Sequence, residues 1–372
     1  MPEIVVVGAG IIGLAHALAA VKAGARVTVV DRDARANGAS IRNFGFITVT
    51  GQERGAVWQR ARRSAQLWRE VAPAAGIGIV QQGLLVVGQR PEAAPVLDAF
   101  LATEMGEGCE RLTAAATAAL CPQAHAPAGA ILSSHDLRVE SRDALPRLAA
   151  WLAAAHGVQF RFGAAAVAVE TGRVTLATGE TLRADHIFVC PGDDWASLFP
   201  ALYADAGITR CKLQMLRLAA PGWQLPAPVM SDLSLVRYLG YAALPEAAAL
   251  KARLAVEAAD ALDWGVHLIV VQSADGSLVV GDSHEYGPTP DPFGRADVDA
   301  IILREYAAVL GTAPPVIERW IGTYASAASH SIVREAMPGV HLTVVTSGTG
   351  ASTGFALGEE VVNSVFGKGV TA

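Results

Sequence analysis

Three glycines near the start of the chain have the spacing of a site for dinucleotide phosphates. Gly8, Gly10 and Gly13 form a GxGxxG pattern between two apolar segments, EIVVV and RVTVV, and Asp31 ends the second segment. Such glycines permit a tight turn, a close approach of backbone to a pyrophosphate, and helix–strand packing. A carboxylate in the place of Asp31 accepts hydrogen bonds from ribose hydroxyls and repels a 2′-phosphate. The stretch therefore predicts a β-α-β unit that binds a dinucleotide other than NADP.

Two further segments favour FAD over NAD. The segment NGASIRNFGFITVTG (37–51) is rich in small residues and carries Arg42 and Asn43, so it can lie flat against a flavin while Arg42 meets the pyrophosphate or the ring. The segment GVHLTVVTSGTGASTGF predicts a strand, a loop, and a helix that begins near Gly354. Free N–H groups at that helix start suit the flavin N1/C2=O edge, which is negative in the reduced state. A second GxGxxG, expected for reduction by NAD(P)H on the same chain, does not occur.

These segments, with ADHIFVCPGDDWAS, resemble the FAD-dependent D-amino-acid oxidase superfamily, which includes glycine oxidase and monomeric sarcosine oxidase. The resemblance covers essentially the whole chain. It implies an α/β fold in which a Rossmann-like FAD-binding domain (1–80, 140–208 and 318–372) is interleaved with an antiparallel-sheet substrate domain (81–139 and 209–317). It also implies oxidation of a C–N bond by hydride transfer to flavin N5, giving an imine that water hydrolyses.

The resemblance also implies which residues contact FAD. They are Gly8, Gly10, Ile11, Ile12, Gly13, Asp31, Arg32, Ser40, Arg42, Asn43, Phe44, Gly45, Val167, Pro191, Gly192, Trp195, Gly348, Gly350, Ser352 and Thr353. Some relatives tether FAD through a Cys or a His. No Cys occurs in the C-terminal third of this chain, and no His lies between residues 32 and 60. We therefore expect FAD to be bound noncovalently.

The segment WIGTY departs from the pattern of α-amino-acid oxidases. Relatives of that kind carry an Arg at the position of Tyr324, where a bidentate guanidinium pairs with the substrate carboxylate. Either the substrate lacks a carboxylate at this place, or its acid is held from elsewhere. The segments ASIRNFGF, CKLQML, VVGDSHEYG and RWIGTY resemble a subfamily associated with aminophosphonate catabolism. That resemblance implies a substrate such as 2-aminoethylphosphonate, N-methylated or hydroxylated next to phosphorus.

A phosphonate has three acceptor oxygens in a tetrahedral arrangement, so several donors at varied angles suit it better than one planar fork. Arg237, next to Tyr238 after a predicted strand, is the candidate cation, and its alternative is an exposed Arg at a strand end. His284 and Tyr324 are the candidate catalytic residues, although a His at a turn can also be simply exposed. The other candidates for the substrate site are Phe46, His330 and Thr349, with Lys212 and Arg334 as weaker ones.

The surrounding elements follow from pattern and turn chemistry. HLIVVQSADGSLVVGDS predicts a hairpin around Asp275-Gly276, and SRDALPRLAAWLAAAHG predicts a helix with Ser141 as its N-cap. The segment from Gly157 to Ser197 predicts several short strands, with turns at Thr171-Gly172 and Thr178-Gly179.

Composition limits the classes of partner. The chain has 372 residues, 52% of them hydrophobic and 17% charged, with a net charge of −6, which predicts two domains with large cores. No Lys/Arg cluster is interleaved with aromatics, so nucleic acid is not an expected partner. The apolar N-terminus lacks a basic region and a cleavage site, and His16 and Lys22 interrupt it, so we expect neither a signal peptide nor a membrane span.

Four widely spaced cysteines, with no CxxC pair and no His at zinc-ligand offsets, argue against a metal and a disulfide framework and fit a reducing compartment. We therefore expect a cytoplasmic protein without a metal. Its expected partners are a small amine and an electron acceptor, either dioxygen or another one. Two alternatives to the aminophosphonate enzyme remain open. One is an amino-acid oxidase of the glycine or sarcosine type that uses Arg237 as its clamp, and the other is a noncatalytic flavoprotein.

Overall fold

The computed structural model describes residues 1–367. Its N-terminal part is the β-α-β unit expected from the glycine pattern, with β1 (Glu3–Val7), α1 (Ile11–Lys22) and β2 (Arg26–Asp31). The two strands are parallel and in register from Glu3 opposite Arg26. The β-branched run of β1 is almost wholly buried, as in strands covered on both faces.

Further strands and helices follow in chain order. The strands are β3 (Phe46–Ile47), β4 (Ile79–Val87), β5 (Cys109–Leu112), β6 (Ala130–Val139), β7 (Gln159–Phe162), β8 (Ala166–Glu170), β9 (Arg173–Leu176), β10 (Thr181–Arg183), β11 (His186–Val189), β12 (Thr209–Leu218), β13 (Val229–Met230), β14 (Ile269–Gln272), β15 (Leu278–Gly281), β16 (Glu285–Gly287), β17 (Val316–Met337) and β18 (Val340–Ser347). The helices are α2 (Ala56–Ala74), α3 (Ala93–Leu101), α4 (Ala114–Leu120), α5 (Ser141–His156), α6 (Pro200–Ala204), α7 (Leu239–Ala242), α8 (Ala247–Glu257), α9 (Ala259–Asp263), α10 (Ala296–Leu310) and α11 (Gly350–Phe366), with 3-10 helices at Glu104–Gly106 and Asp232–Val236.

One large mixed sheet of 15 strands connects the two halves of the molecule. Its order is β3-β6-β4-β13-β14-β15-β12-β17-β18-β11-β1-β2-β7, while β16 pairs with β12 and β5 with β6. The end from β18 to β7 is parallel and carries the β-α-β unit. The central part from β13 to β18 is antiparallel. The strands β8, β9 and β10 form a separate small sheet.

The long strand β17 belongs to both parts of the sheet. Up to Ser326 it pairs with β12, and it pairs with β18 at Ser326 and again, after a shift in register, from Ser331 onwards. The expected domain boundary at residue 318 therefore falls inside a strand that is still paired with the substrate sheet, and the boundary at residue 80 falls inside β4. We propose that the first of these boundaries lies instead at residues 327–330, where β17 changes partner.

Helices α1 and α11 pack closely, which brings their N-termini side by side. A Cβ at Gly358 would lie 2.8 Å from the carbonyl carbon of Ala15, so a side chain there would push the helices apart. Helix α2 secures the start of α11 because Trp68 Nε1 donates to the carbonyl of Ala351 at 2.9 Å. Both helix starts therefore face the same region of the molecule.

Three local expectations are wrong. Ser141 is the first residue of α5 and not its N-cap; its hydroxyl donates to the carbonyl of Ile41 instead. Helix α11 begins at Gly350, one turn before Gly354, and the small residues 350–353 that were expected to form a loop make its first turn. Arg237 follows the 3-10 helix Asp232–Val236 and not a strand. None of the helices in the described part of the chain combines the length and the apolar character needed to cross a bilayer.

Candidate active site

A cavity of about 500 Å³ lies where the starts of α1 and α11, the 39–53 segment and the middle of β17 meet. It also reaches the open end of the β14–β15 hairpin. Most of the residues singled out from the sequence line this one cavity. They are Gly10, Ile11, Ile12, Gly13, Ser40, Arg42, Asn43, Phe44, Gly45, Phe46, Gly192, Arg237, Tyr238, His284, Tyr324, His330, Gly348, Thr349, Gly350 and Ser352.

Several expected cofactor residues lie outside the cavity lining and have local partners. Asp31 accepts hydrogen bonds from the N–H groups of Ala9 at 2.6 Å and Asp33 at 2.9 Å, so its carboxylate holds the glycine turn. Arg32 pairs with Asp194. The Thr353 hydroxyl donates back to its own helix, to the carbonyl of Thr349.

Val167, Trp195 and Pro191 are also not brought to the cavity lining. Val167 lies on β8 of the separate small sheet and is 55% exposed. The ring of Trp195 is covered by the guanidinium of Arg210, 4.5 Å from the ring centroid. Pro191 precedes Gly192, which does line the cavity. A role of these residues in FAD binding remains a prediction, and the exposed position of Val167 gives it no support.

The three glycines of the first turn differ in what surrounds them. A Cβ at Gly8, where φ is +105°, would lie 2.3 Å from the carbonyl oxygen of Cys190, and a Cβ at Gly13 would lie 1.8 Å from that of Gly8. Both glycines are thus required by the fold. A Cβ at Gly10 would meet only the Ser40 hydroxyl, at 3.1 Å, so the space beside Gly10 belongs to the cavity. This is the arrangement that a pyrophosphate needs.

The N-terminal turn of α11 has free backbone donors. Its N-cap, Thr349, makes no side-chain capping bond, and within residues 1–367 the N–H groups of Gly350, Ala351 and Ser352 have no acceptor. Such N–H groups and the positive end of the helix dipole attract negative charge. With the start of α1, two helix N-termini therefore face one cavity, and this fits a flavin dinucleotide with its pyrophosphate and its electron-rich ring edge.

Arg237 is the cation at the other end of the cavity. Its Nη2 donates to the hydroxyl of Tyr286 at 3.0 Å, and within the described residues no carboxylate oxygen lies within 4.0 Å of its guanidinium. The positive charge is thus available to a ligand. Tyr324 lies nearby on β17, and its hydroxyl is a further donor at this end of the cavity. Burial raises the pKa of Tyr324 well above its ordinary value, so the hydroxyl stays protonated.

Next to Arg237 lies a buried group of two histidines and a carboxylate that the sequence analysis did not find. His267 Nε2 is 3.1 Å from Asp282 Oδ1, and His284 Nε2 is 3.7 Å from Asp282 Oδ2. Far from being exposed at a turn, His284 is 8% exposed. The ligand atoms of the three residues lie within 4.8 Å of one another, a spacing that a metal ion could span, and the absence of a metal stays a prediction.

The pairing of the β14–β15 hairpin explains why these residues meet. Ile269 lies opposite Gly281, which places the residues just before β14 beside those just after β15. The predicted hairpin around Asp275-Gly276 contained this register, and counting outwards from the turn would have paired His267 with the Asp282–His284 segment.

The remaining candidates have mixed outcomes. His330 lines the cavity, where its Nε2 lies 2.5 Å from Glu53 Oε2. Lys212 forms an ion pair with Glu285 at 3.1 Å and lies outside the lining, while its neighbour Leu213 faces the cavity, because side chains alternate along a strand. Arg334 donates to the carbonyl of Leu202 on the exposed side of β17. Lys212 and Arg334 therefore lie outside the cavity lining.

These features are those of a nucleotide-cofactor enzyme in which one cavity holds the cofactor loops at one end and a cation for a small charged ligand at the other. The family model described as DAO, FAD dependent oxidoreductase, matches residues 3–364. The chain belongs to this family, and it is an FAD-dependent oxidoreductase. The α/β fold expected from the sequence is confirmed.

Solved structures of the same fold include enzymes that are named for different substrates. Glycine oxidase from Bacillus cereus ATCC 14579 superposes with a TM-score of 0.78 at 16% identity, over 99% of this chain and 96% of that one. Iminodiacetate oxidase from Chelativorans sp. BNC1 gives 0.73 at 18% identity, over 99% and 96%. Dithionite-reduced L-α-glycerophosphate oxidase from Mycoplasma pneumoniae, with FAD bound, gives 0.73 at 16%, over 97% and 94%. At these identities the likeness concerns the fold alone. A comparison with curated protein sequences gave no match.

Proposed function

We propose that the protein oxidises the C–N bond of a small amine that carries a phosphonate, of the 2-aminoethylphosphonate type, N-methylated or hydroxylated, to an aldehyde by way of an imine. The observation that carries the proposal is Arg237, a cation without a carboxylate partner in the cavity that is shared with the cofactor loops. An anion is the ligand that such a guanidinium binds best.

The donors around Arg237 favour a tetrahedral anion. The hydroxyl of Tyr286 is hydrogen-bonded to the guanidinium, and the hydroxyl of Tyr324 approaches from a different strand. Three donor groups on three separate segments match three phosphonate oxygens better than the two oxygens of a carboxylate. The presence of Tyr324 where α-amino-acid oxidases carry an Arg agrees with a change of acid.

The chain's own residues bind the substrate and move one proton. When bound, FAD supplies the acceptor for the two electrons that leave with a hydride from the carbon next to nitrogen. Before that, the substrate nitrogen must be neutral, because its lone pair becomes the second bond of the imine. Burial lowers the pKa of His284, so the ring is neutral at pH 7 and its Nε2 can accept the ammonium proton, and because the same burial makes the ring a weak base it must pass the proton on to solvent. Water then hydrolyses the imine to an aldehyde and the free amine.

A carboxylate substrate is the second candidate, because the guanidinium of Arg237 is also a planar fork for two carboxylate oxygens. Glycine oxidase and iminodiacetate oxidase share this fold and are named for such substrates, whereas L-α-glycerophosphate oxidase is named for a phosphate-bearing one. In that case the acid clamp would have moved from the position of Tyr324 to Arg237.

Anaerobic loss of the flavin absorbance distinguishes these functions. The holoenzyme is mixed under nitrogen with 2-aminoethylphosphonate, its N-methyl and 1-hydroxy relatives, glycine and sarcosine. Bleaching by the phosphonates alone supports the proposal. Bleaching by glycine or sarcosine alone would mean that the substrate's acid is a carboxylate, and a yellow protein that none of these amines bleaches would mean that the substrate is neither of the two classes.

Arg237→Met tests the acid clamp with the same substrates. Losing a charged hydrogen-bonding partner costs about 1.5–3 kcal/mol, so KM should rise roughly 10- to 100-fold while the FAD content stays the same. Arg237→Lys keeps the charge and should recover part of the loss. Arg161→Met on β7, which removes a guanidinium distant from the cavity, is the matched control and should leave KM unchanged. An unchanged KM in Arg237→Met would mean that a group other than Arg237 binds the substrate's acid.

A further inference from the structure

Asp282 is a buried carboxylate whose Oδ2 has no hydrogen-bond donor among residues 1–367. Its side chain is 8% exposed and lines the cavity, and within residues 1–367 its Oδ1 accepts no aligned hydrogen bond, although His267 Nε2 lies 3.1 Å away. Burial raises the pKa of Asp282, but the contact with His267 and the charge of Arg237 outweigh it, so the pKa lies below its ordinary value and the group is an anion at pH 7. A buried charge without a full set of donors is costly. The arrangement therefore indicates a ligand that brings donors of its own.

The orientation of His284 supplies a second free acceptor. Its Nδ1 lies 2.9 Å from the carbonyl oxygen of Gly265, which can only accept, so Nδ1 carries the hydrogen of the neutral ring. Nε2 is then an unprotonated acceptor, and it lies 3.7 Å from Oδ2 of Asp282. Two acceptors thus face each other across a gap too long for a direct hydrogen bond, and no hydrogen is available between them.

We propose that Asp282 Oδ2 and His284 Nε2 form the seat of the substrate's ammonium group, each accepting one of its N–H bonds. This inference rests on the proposed amine oxidation. In it, Asp282 and His284 bind the amine end of the substrate, and Arg237 binds the acid end. The two seats are neighbours, because a Cβ at Gly265 would lie 2.9 Å from His284 Cβ and 3.4 Å from Arg237 Nη1. The pocket is therefore matched to a short zwitterion.

The seat also explains how the amine becomes neutral. One N–H bond of the ammonium breaks, the bond Nε2–H forms on His284, and the electron pair of the broken bond stays on nitrogen. The positive charge moves from the substrate nitrogen to the neighbouring ring of His284, where the carboxylate of Asp282 stabilises the imidazolium. His267 acts as a positioning residue, since its Nε2 faces Oδ1 of Asp282 while its Nδ1 lies 3.3 Å from the hydroxyl of Ser234.

A divalent cation is a poorer occupant of the same three residues. Asp282 and Arg237 carry one negative and one positive charge, so the pocket is neutral before anything binds. An amino-acid zwitterion leaves it neutral and an aminophosphonate with a doubly ionised phosphonate adds one negative charge, whereas a divalent ion alone would leave two uncompensated positive charges in a buried place.

The number of N–H bonds on the ligand decides whether it can bridge the two acceptors. A primary or secondary ammonium has two or more, and a quaternary ammonium has none. We therefore expect N-methylation to be tolerated once, and trimethylation to abolish the contribution of the charged nitrogen.

Isothermal titration of the holoenzyme, reduced under nitrogen so that no ligand turns over, tests the seat by binding alone. 2-Aminoethylphosphonate is compared with propylphosphonate, in which a methyl group replaces the ammonium, and glycine with propionate.

The wild-type protein should bind the ammonium member of a pair about tenfold more tightly or better. In Asp282→Asn this ratio should fall below about three, while the amine-free ligand binds as before. Asp297→Asn, the same change in an exposed side chain at the start of α10, should keep the wild-type ratio.

The outcomes separate the seat from the proposed function. If phosphonates do not bind but glycine exceeds propionate and Asp282→Asn removes that preference, the seat stands and the phosphonate is wrong. A ratio near one in the wild-type protein, or an unchanged ratio in Asp282→Asn, overturns the seat. If Asp282→Asn does not fold, the wild-type methyl series decides: trimethylated 2-aminoethylphosphonate binding more tightly than propylphosphonate overturns the seat, and so does a preference that EDTA removes and Zn²⁺ restores.

Discussion

The ring of Tyr324 lies directly over Gly348. A Cβ at Gly348 would be 3.0 Å from Tyr324 Cζ and 3.2 Å from its hydroxyl oxygen, and φ at Gly348 is +72°. A glycine is thus needed for the strand β17 and the loop before α11 to approach this closely. The contact holds the Tyr324 hydroxyl between the cofactor loop and the Arg237 end of the cavity.

Tyr324→Phe removes this hydroxyl and keeps the ring on Gly348. If the hydroxyl binds the third oxygen of a phosphonate, the Kd of propylphosphonate should rise about fivefold, the cost of one neutral hydrogen bond of about 1 kcal/mol. The Kd of propionate should change less, because a carboxylate occupies Arg237 with both oxygens. Titration of the reduced holoenzyme measures both values. Equal effects on the two acids would contradict a role of Tyr324 in choosing the acid.

The pH dependence of kcat should show the ionisation of the bound substrate amine and no acid limb from His284. Burial lowers the pKa of His284 to about 3, so the ring stays neutral from pH 6 to pH 10. An alkylammonium titrates near pH 10 in water, and binding beside FAD in a desolvated pocket lowers that pKa. We therefore expect kcat to rise with pH until the bound amine is neutral. A flat profile from pH 6 to pH 10 is incompatible with this order of events.

His284→Asn removes the proton acceptor. General bases contribute about 10²–10⁴-fold to rates, so kcat should fall by at least about 100-fold and its rise should move to higher pH. His156→Asn, an exposed His at the end of α5, is the control and should keep the wild-type profile.

Gly10 and Gly13 should respond differently to the same added methyl group. In Gly13→Ala the new Cβ meets the Gly8 carbonyl oxygen at 1.8 Å, so the apoprotein itself should lose stability. In Gly10→Ala only the Ser40 hydroxyl, which accepts from the N–H of Ile11, is close at 3.1 Å, and φ is −72°, so the apoprotein should lose far less Tm than Gly13→Ala while the Kd of FAD rises about tenfold or more. Thermal unfolding of the apoproteins and FAD titration measure these effects. Gly78→Ala, which meets nothing within 4 Å, is the control.

The cofactor half of the site could be predicted because its residues are close in sequence. The glycine turn, the helix α1 and Asp31 form one local unit whose spacing reflects one geometry. The start of α11 was misplaced because Gly, Ser and Thr favour loops by intrinsic propensity. In this protein, packing of α11 on α1 overrides that preference, since Gly354 and Gly358 contact Ile12 and Ala15.

The substrate half depends on strand pairing, of which the sequence predicted only the β14–β15 hairpin. Asp282 and His267 carry no signature of their own, and they meet only through the register of the β14–β15 hairpin. Residues 327–330 line the cavity because β17 changes its pairing partner there, which its sequence of small residues does not reveal. Arg237 was predicted from its chemistry, although a 3-10 helix and not the expected strand precedes it.

The packing around α1 also buries one titratable side chain, His16. It lies on α1 and is fully buried, with Nδ1 donating to the carbonyl of Ile12 at 2.8 Å and Nε2 accepting from the hydroxyl of Thr343 at 3.2 Å. Both ring nitrogens are thus satisfied in the neutral form. Burial lowers the pKa of His16 to about 4, and the carbonyl of Ile12 opposes this only in part.

The free energy of unfolding should therefore fall as the pH drops from 7 to 5. The unfolded chain binds a proton at its ordinary pKa of 6.5, whereas the folded ring resists protonation down to about 4, so the unfolded state gains protons first and acid favours it. For this one group the loss amounts to about 2 kcal/mol between pH 7 and pH 5. In His16→Leu the fall should be smaller by that amount, whatever the stability at pH 7, whereas His156→Asn should follow the wild-type protein. Urea denaturation at the two pH values measures the difference, and an equal fall in His16→Leu would mean that other groups cause the acid sensitivity.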